Sequence, residues 1–205
     1  MKDRDVDWSR VNAFHLDEYI GISDRHPASF RFWIRTRFEE RVRPGSMTYL
    51  PGDASDIDAA ASAYAELLFS EPIDLAFVGI GENGHIAFND PPVADFKDPL
   101  GIKRVTLDEA CRLQQVNEGH FPTFNSVPKE ALTVTCSGLL KAKAWVSCVP
   151  EARKAQAVRN ALEGPISPAC PGSLVRVHQN VSLYLDEASA SLLEDRQVNR
   201  SRSPA

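Results

Sequence analysis

The chain is poor in the features that would set it apart from ordinary globular enzymes. Its four cysteines, Cys111, Cys136, Cys148 and Cys170, include no C-x-x-C pair, so neither a disulfide framework nor a cysteine-built zinc site is expected. Cys136 and Cys148 lie in or beside apolar strand-like runs and are expected to be buried, reduced thiols. No apolar stretch approaches the ~18 residues that cross a bilayer. The opening MKDRDVDWSR lacks the apolar core of a signal peptide. These absences predict a cytoplasmic protein with no membrane partner. Positive charge is also in deficit. A net charge of -5 argues against a general nucleic-acid binder, whose footprint is basic.

What remains is ordinary for a globular chain: 205 residues, 43% hydrophobic and 25% charged, enough for one well-buried core. Strand-like runs at Val11 to Leu16, Leu75 to Val78, Leu132 to Thr135, Trp145 to Val149 and Val181 to Leu185 alternate with helical ones. Helices are expected over Pro27 to Val42, Asp56 to Phe69 with Asp56 as N-cap, Asp108 to Asn117, Glu151 to Leu162 closed by Gly164-Pro165, and Glu187 to Leu193. The alternation predicts an α/β fold: a single Rossmann-like domain over residues 1–195, its mostly parallel sheet covered by helices on both faces. Residues 196–205 read as a polar, frayed tail. Six arginines between Arg25 and Arg43 are diluted by Glu39 and Glu40 and read as a solvated helix face.

The most informative segment is Asp74 to Pro92, DLAFVGIGENGHIAFNDPP. An apolar strand feeds a turn carrying Gly79, Gly81 and Gly84, which delivers His85 and then Asp90. Gly79 to Gly84 matches G-x-G-x-x-G literally. The dinucleotide fingerprint requires those glycines to open a helix, and Pro91-Pro92 stops one, so that reading is rejected. In a parallel sheet, ligands bind past the carboxyl ends of the strands. Three such ends carry polar groups: Asp17 and Glu18 after the first strand, His85 and Asp90 after Val78, and Arg153 with Lys154 after Val149. The last group opens a helix, where free N–H groups favour an anion. Each residue alone has a bland role, as cap, turn former or surface charge. Together they describe acid/base chemistry on a small phosphorylated substrate.

Phe14-His-Leu-Asp-Glu-Tyr19 with Gly21, Gly79-Ile-Gly-Glu-Asn-Gly-His-Ile-Ala-Phe-Asn-Asp90 and Val127-Pro-Lys-Glu-Ala-Leu-Thr133 resemble the signatures of glucosamine-6-phosphate deaminases, from about Val11 to Leu193. The resemblance implies conversion of glucosamine 6-phosphate and water to fructose 6-phosphate and ammonia, in amino-sugar catabolism, with no metal or redox cofactor. It makes Asp17 the base that moves a proton between C2 and C1. It makes His85 the ring-opening residue, oriented by Asn83 and Asp90. Gly79, Lys154 and Arg112 become substrate-binding residues, Lys154 at the phosphate and Arg112 as the nearest match to a lid arginine. Asn83 stands where many members carry aspartate. Asp90 replaces their usual glutamate and is one methylene shorter. The family also begins with a further strand–helix unit bearing a phosphate loop, which is expected to be missing here. Its loss would leave an exposed strand edge and a route to a homo-oligomer. The rival expectations are a 6-phosphogluconolactonase or other sugar-phosphate isomerase on the same fold, or a non-catalytic sugar-phosphate-binding module or inactive fragment.

Overall fold

The computed structural model describes residues 6–194. It is an α/β fold in which parallel strand pairs alternate with helices. The strands are β1 (Asn12–Phe14), β2 (Asp17–Tyr19), β3 (Ser46–Thr48), β4 (Leu75–Val78), β5 (Ile102–Thr106), β6 (Glu130–Val134), β7 (Ala144–Val149) and β8 (Val181–Leu185). The helices are α1 (Phe30–Ile34), α2 (Glu40–Val42), α3 (Ile57–Leu68), α4 (Glu109–Asn117), α5 (Cys136–Leu139) and α6 (Ala155–Glu163). A π-helical turn, Arg35–Glu39, joins α1 to α2. The helix expected from Pro27 therefore starts after its N-cap, Ser29, whose hydroxyl accepts from the Phe32 N–H. Asp56 and Asp108 cap α3 and α4 in the same way, accepting from Ala59 and Cys111.

The strands fall into three sheets. Strands β4, β7 and β8 are parallel, with β7 central, and β1 pairs in parallel with β3. Strands β2, β6 and β5 form an antiparallel sheet centred on β6. The sequence pattern shows one mostly parallel sheet because β2, Asp17-Glu18-Tyr19, reads as the polar end of the β1 strand. Only His15 and Leu16 separate them, and there the chain leaves the partner of β1 for that of β2.

Two clusters of buried residues make the core. The larger gathers Leu50, Tyr64, Val78, Ile86, Leu132, Val134, Trp145, Val158 and Leu174. The smaller surrounds Tyr19 with Phe88, Phe121, Val127 and Cys111, and Tyr19 packs on Phe30, Phe88 and Phe121 with ring centroids 5.1–5.4 Å apart.

Several expectations are corrected. The run Leu75 to Val78 reads as a strand covered on both faces, but only Ala76 and Val78 are buried; Phe77 is 69% and Tyr184 60% exposed. That face of the β4–β7–β8 sheet carries no covering helix among the described residues. Cys148 is exposed rather than buried, because strand alternation puts it opposite Trp145, Ser147 and Val149. Glu187 to Leu193 forms turns rather than a helix. Asp186 takes the Ser189 N–H with its carboxylate, and the Ser189 hydroxyl returns to the Asp186 carbonyl, local bonds that compete with a helix. Arg31 leaves the solvated arginine face: it is buried, bonded to Glu18 at 3.3 Å and Asp53 at 2.7 Å. A fully buried Glu18 requires such a partner. The tail expected over 196–205 lies outside the described residues. No helix among them is long and apolar enough to cross a membrane.

Candidate active site

A cavity of about 380 Å³ is lined by Asp17, Gly79, Gly81, His85, Gln114, Glu118 and Lys154, with Leu16 and Phe77 as apolar walls. Four of the seven residues expected to act on substrate, Asp17, His85, Gly79 and Lys154, therefore share one space.

Asp17 opens β2. Alternation along that strand sends Asp17 toward the cavity and Glu18 to the opposite side, where it accepts from Ser29 Oγ at 2.7 Å and Arg31 N at 2.9 Å. Glu18 thus anchors the start of α1 and orients Asp17 through the backbone. Burial pushes the Asp17 carboxyl up to about 7, and the nearby Glu18 charge adds to the effect. A carboxyl in that range can take and return a proton near neutrality.

His85 sits on a turn closed by Gly81 N–H to His85 O at 2.9 Å and Gly84 N–H to Gly81 O at 3.0 Å. Gly84 has φ +86°, a left-handed conformation that favours glycine. A Cβ on Gly81 would overlap the imidazole, so this glycine lets the ring lie against the backbone. No helix follows, which settles the structural objection to dinucleotide binding. A Cβ on Gly79, by contrast, would meet nothing within 4 Å.

Behind His85 stand Asn83 and Asp90. Asn83 Oδ1 accepts from His85 N at 3.0 Å and lies 2.7 Å from His85 Nδ1, while Asn83 Nδ2 donates to Asp90 Oδ1 at 3.0 Å. Asp90 Oδ1 is also 3.1 Å from His85 Nδ1. The shorter aspartate therefore does reach the ring. Both neighbours of Nδ1 are acceptors, so in the neutral ring the proton sits on Nδ1 and Nε2 is left to accept from a ligand. Burial works against the Asp90 carboxylate, but the His85 hydrogen bond and charge, with Asn83 and Cys111, hold its carboxyl below the usual range.

Residues that sequence reading missed tie these parts together. Thr133 on β6 lies opposite Asp17 in the sheet register, and its hydroxyl accepts from Phe88 N at 3.1 Å. Asn89, fully buried, donates to the Val134 carbonyl at 2.8 Å and to Ile86 O at 2.9 Å. One strand thus holds both the Asp17 strand and the His85 loop. Ile86 enters the larger core and Phe88 the smaller. The motif shows Asn89 and Thr133 in sequence, but only the pairing with β6 gives them a task.

Lys154 precedes α6 as its N-cap, and burial lowers its pKa. Its neighbour Arg153 faces outward to Glu82, Glu118 and Glu151. Lys154 is thus the cation on the cavity wall, beside a helix start suited to an anion. Arg112 does not join it. Its guanidinium donates to the carbonyls of Phe124 and Val127 at 2.9 and 3.0 Å and lies 4.0 Å from the centre of the Phe124 ring. It braces the 124–127 turn, outside the cavity lining.

Comparison with known proteins shows the family. Residues 1–99 match the family model for glucosamine-6-phosphate isomerases/6-phosphogluconolactonase. The glucosamine-6-phosphate deaminase of Arthrobacter sp. is 38% identical over 191 residues, covering 92% of this chain and 72% of the relative. That of Lactobacillus delbrueckii subsp. bulgaricus is 32% identical over 192 residues, covering 92% and 79%. Among solved structures, a monomeric glucosamine-6-phosphate deaminase superposes with TM-score 0.81 at 37% identity, covering 88% of this chain and 74% of that one. A 6-phosphogluconolactonase from Trypanosoma brucei shares the fold, with TM-score 0.70 at 17% identity and coverage of 88% and 73%. The chain belongs to the glucosamine-6-phosphate deaminase family.

Proposed function

We propose that this protein converts glucosamine 6-phosphate and water to fructose 6-phosphate and ammonia. The observation that carries the reading is the convergence of Asp17, His85 and Lys154 on one cavity. Lys154 and the start of α6 hold the phosphate. His85 Nε2 takes the proton from the anomeric hydroxyl and returns it to the ring oxygen, opening the sugar. Asp17 removes the C2 proton as O1 takes one from solvent, giving an enolamine, and then delivers its proton to C1 as the nitrogen releases one to solvent. The product carries an imine at C2, and water hydrolyses it to the ketose and ammonia. Gln114 and Glu118, at the end of α4, complete the wall facing Asp17. Single-domain organisation, a cytoplasmic location and homo-oligomer formation through the uncovered face of β4–β7–β8 belong to the same reading.

Incubation of the purified chain with glucosamine 6-phosphate is expected to release ammonia and fructose 6-phosphate in equal amounts, with no turnover of 6-phosphogluconolactone. Lactone hydrolysis without ammonia release would transfer the chain to the other branch of the fold.

A further inference from the structure

The described residues hold one cluster of histidine, cysteine and carboxylate side chains whose donor atoms converge. It consists of His85, Asp90 and Cys111, with the donor atoms within 4.8 Å of one another. Asp90 Oδ1 already lies 3.1 Å from His85 Nδ1. The other oxygen, Oδ2, is buried and has no hydrogen-bond partner, on a residue only 1% exposed. A buried carboxylate oxygen without a donor is costly, and a cation is the partner it lacks. Cys111 reaches the cluster from the first turn of α4, whose position is fixed by the Asp108 cap at 2.6 Å. Imidazole, carboxylate and thiolate are the mixed donor set of a borderline-soft divalent ion. Zinc–ligand lengths of about 2.0–2.3 Å bring tetrahedral donors to within roughly 3.5 Å of each other, a modest contraction of the present spacing.

We propose that His85, Asp90 and Cys111 form a binding site for a thiophilic divalent cation of the zinc class, and that its occupancy switches the active site off. The inhibitory half rests on the function proposed above; the binding half does not. Coordination requires the lone pair of Nδ1, so the imidazole proton moves to Nε2 and the bond to Asn83 Oδ1 is given up. His85 then presents a donor where ring opening needs an acceptor. Cys111 binds as the thiolate, releasing its thiol proton to solvent.

The test is titration of the whole chain with Co²⁺ as a spectroscopic stand-in for zinc, followed by displacement with Zn²⁺. One equivalent should bind and give a thiolate-to-metal charge-transfer band, and Mg²⁺ should not compete. Cys111→Ser should lose the band and weaken binding by about tenfold or more. Asp90→Asn should weaken binding similarly and serves if the serine variant unfolds on thermal melting. Cys148→Ser, which removes the exposed thiol, should keep the band. Absence of the band in the native chain, or its retention in Cys111→Ser, would overturn the site. Ammonia release should stop with Zn²⁺ and return with a chelator; full activity in the Co²⁺- or Zn²⁺-loaded protein would overturn the switch. A chain that binds Co²⁺ through Cys111 but never deaminates glucosamine 6-phosphate would support the site and defeat the functional reading alone.

Discussion

At the scale of single residues, the site depends on placing a carboxyl and an imidazole in surroundings that make both useful near neutrality. Asp17 carries a folded-state value of about 7 against its ordinary 3.8. For an acid raised in this way, stability is fully present below pH 3.8 and is lost as pH rises through 7, by about 1.4 kcal/mol per pH unit. Asp17→Asn should therefore melt at a higher temperature than the native chain at pH 8, and the gain should vanish near pH 4. The pH profile of kcat/KM should rise through about 7 as Asp17 loses its proton; a flat profile across that range would remove Asp17 as the base. Gly81→Ala should lower turnover by displacing the imidazole while leaving the melting temperature within a few degrees. His85, Asp17 and Lys154 were legible in the sequence because motif spacing fixes them. The Nδ1 tautomer of His85 was not, since it follows from where Asn83 and Asp90 point.

At the scale of elements, the site is held by strand β6 and flanked by one unusual backbone position. Thr133→Val keeps the side-chain shape but leaves the Phe88 N–H without its acceptor. A stability loss of about 1–3 kcal/mol in urea unfolding is expected, together with reduced turnover as the His85 loop loosens. Glu151 has φ +81° and ψ 142° at the end of β7, a region that favours glycine. Glu151→Gly should stabilise the chain by about 1 kcal/mol or more, and an unchanged urea midpoint would show that the lost side-chain bond from Arg153 offsets the strain. Helices α3, α4 and α6 and strands β4, β7 and β8 were readable from periodicity and caps. Strands β3 and β5 were missed because Ser46–Thr48 is only three residues long and Ile102–Thr106 carries Lys103 and Arg104. The antiparallel pairing of β2 was missed because Asp17-Glu18-Tyr19 carries no apolar strand pattern, and nothing local marks the change of partner.

At the scale of the whole molecule, opposing titrations and an open sheet face govern behaviour. Burial, followed by the charge of Arg31, lowers His15 to about 3 from 6.5. Its contribution is present above pH 6.5 and is lost as pH falls toward 3. Between pH 4 and 6.5 this loss runs against the gain from protonating Asp17, so the native chain should show a shallow pH–stability curve. Asp17→Asn should expose the steeper acid loss; parallel curves for the two proteins would refute the compensation. Leu75 and Tyr184 lie on the uncovered sheet face and are 44% and 60% exposed. Patches of this kind promote association, so sedimentation should show concentration-dependent self-association that Leu75→Lys with Tyr184→Lys suppresses. That face was hidden in the sequence because LAFV reads as a fully buried strand. The most direct test of the account sets native chain beside Asp17→Asn with glucosamine 6-phosphate, following ammonia release and substrate binding by calorimetry. The account predicts turnover by the native chain, and a variant that still binds the sugar phosphate but has lost roughly 10²–10⁴ in rate. Equal ammonia release by the two proteins would contradict it.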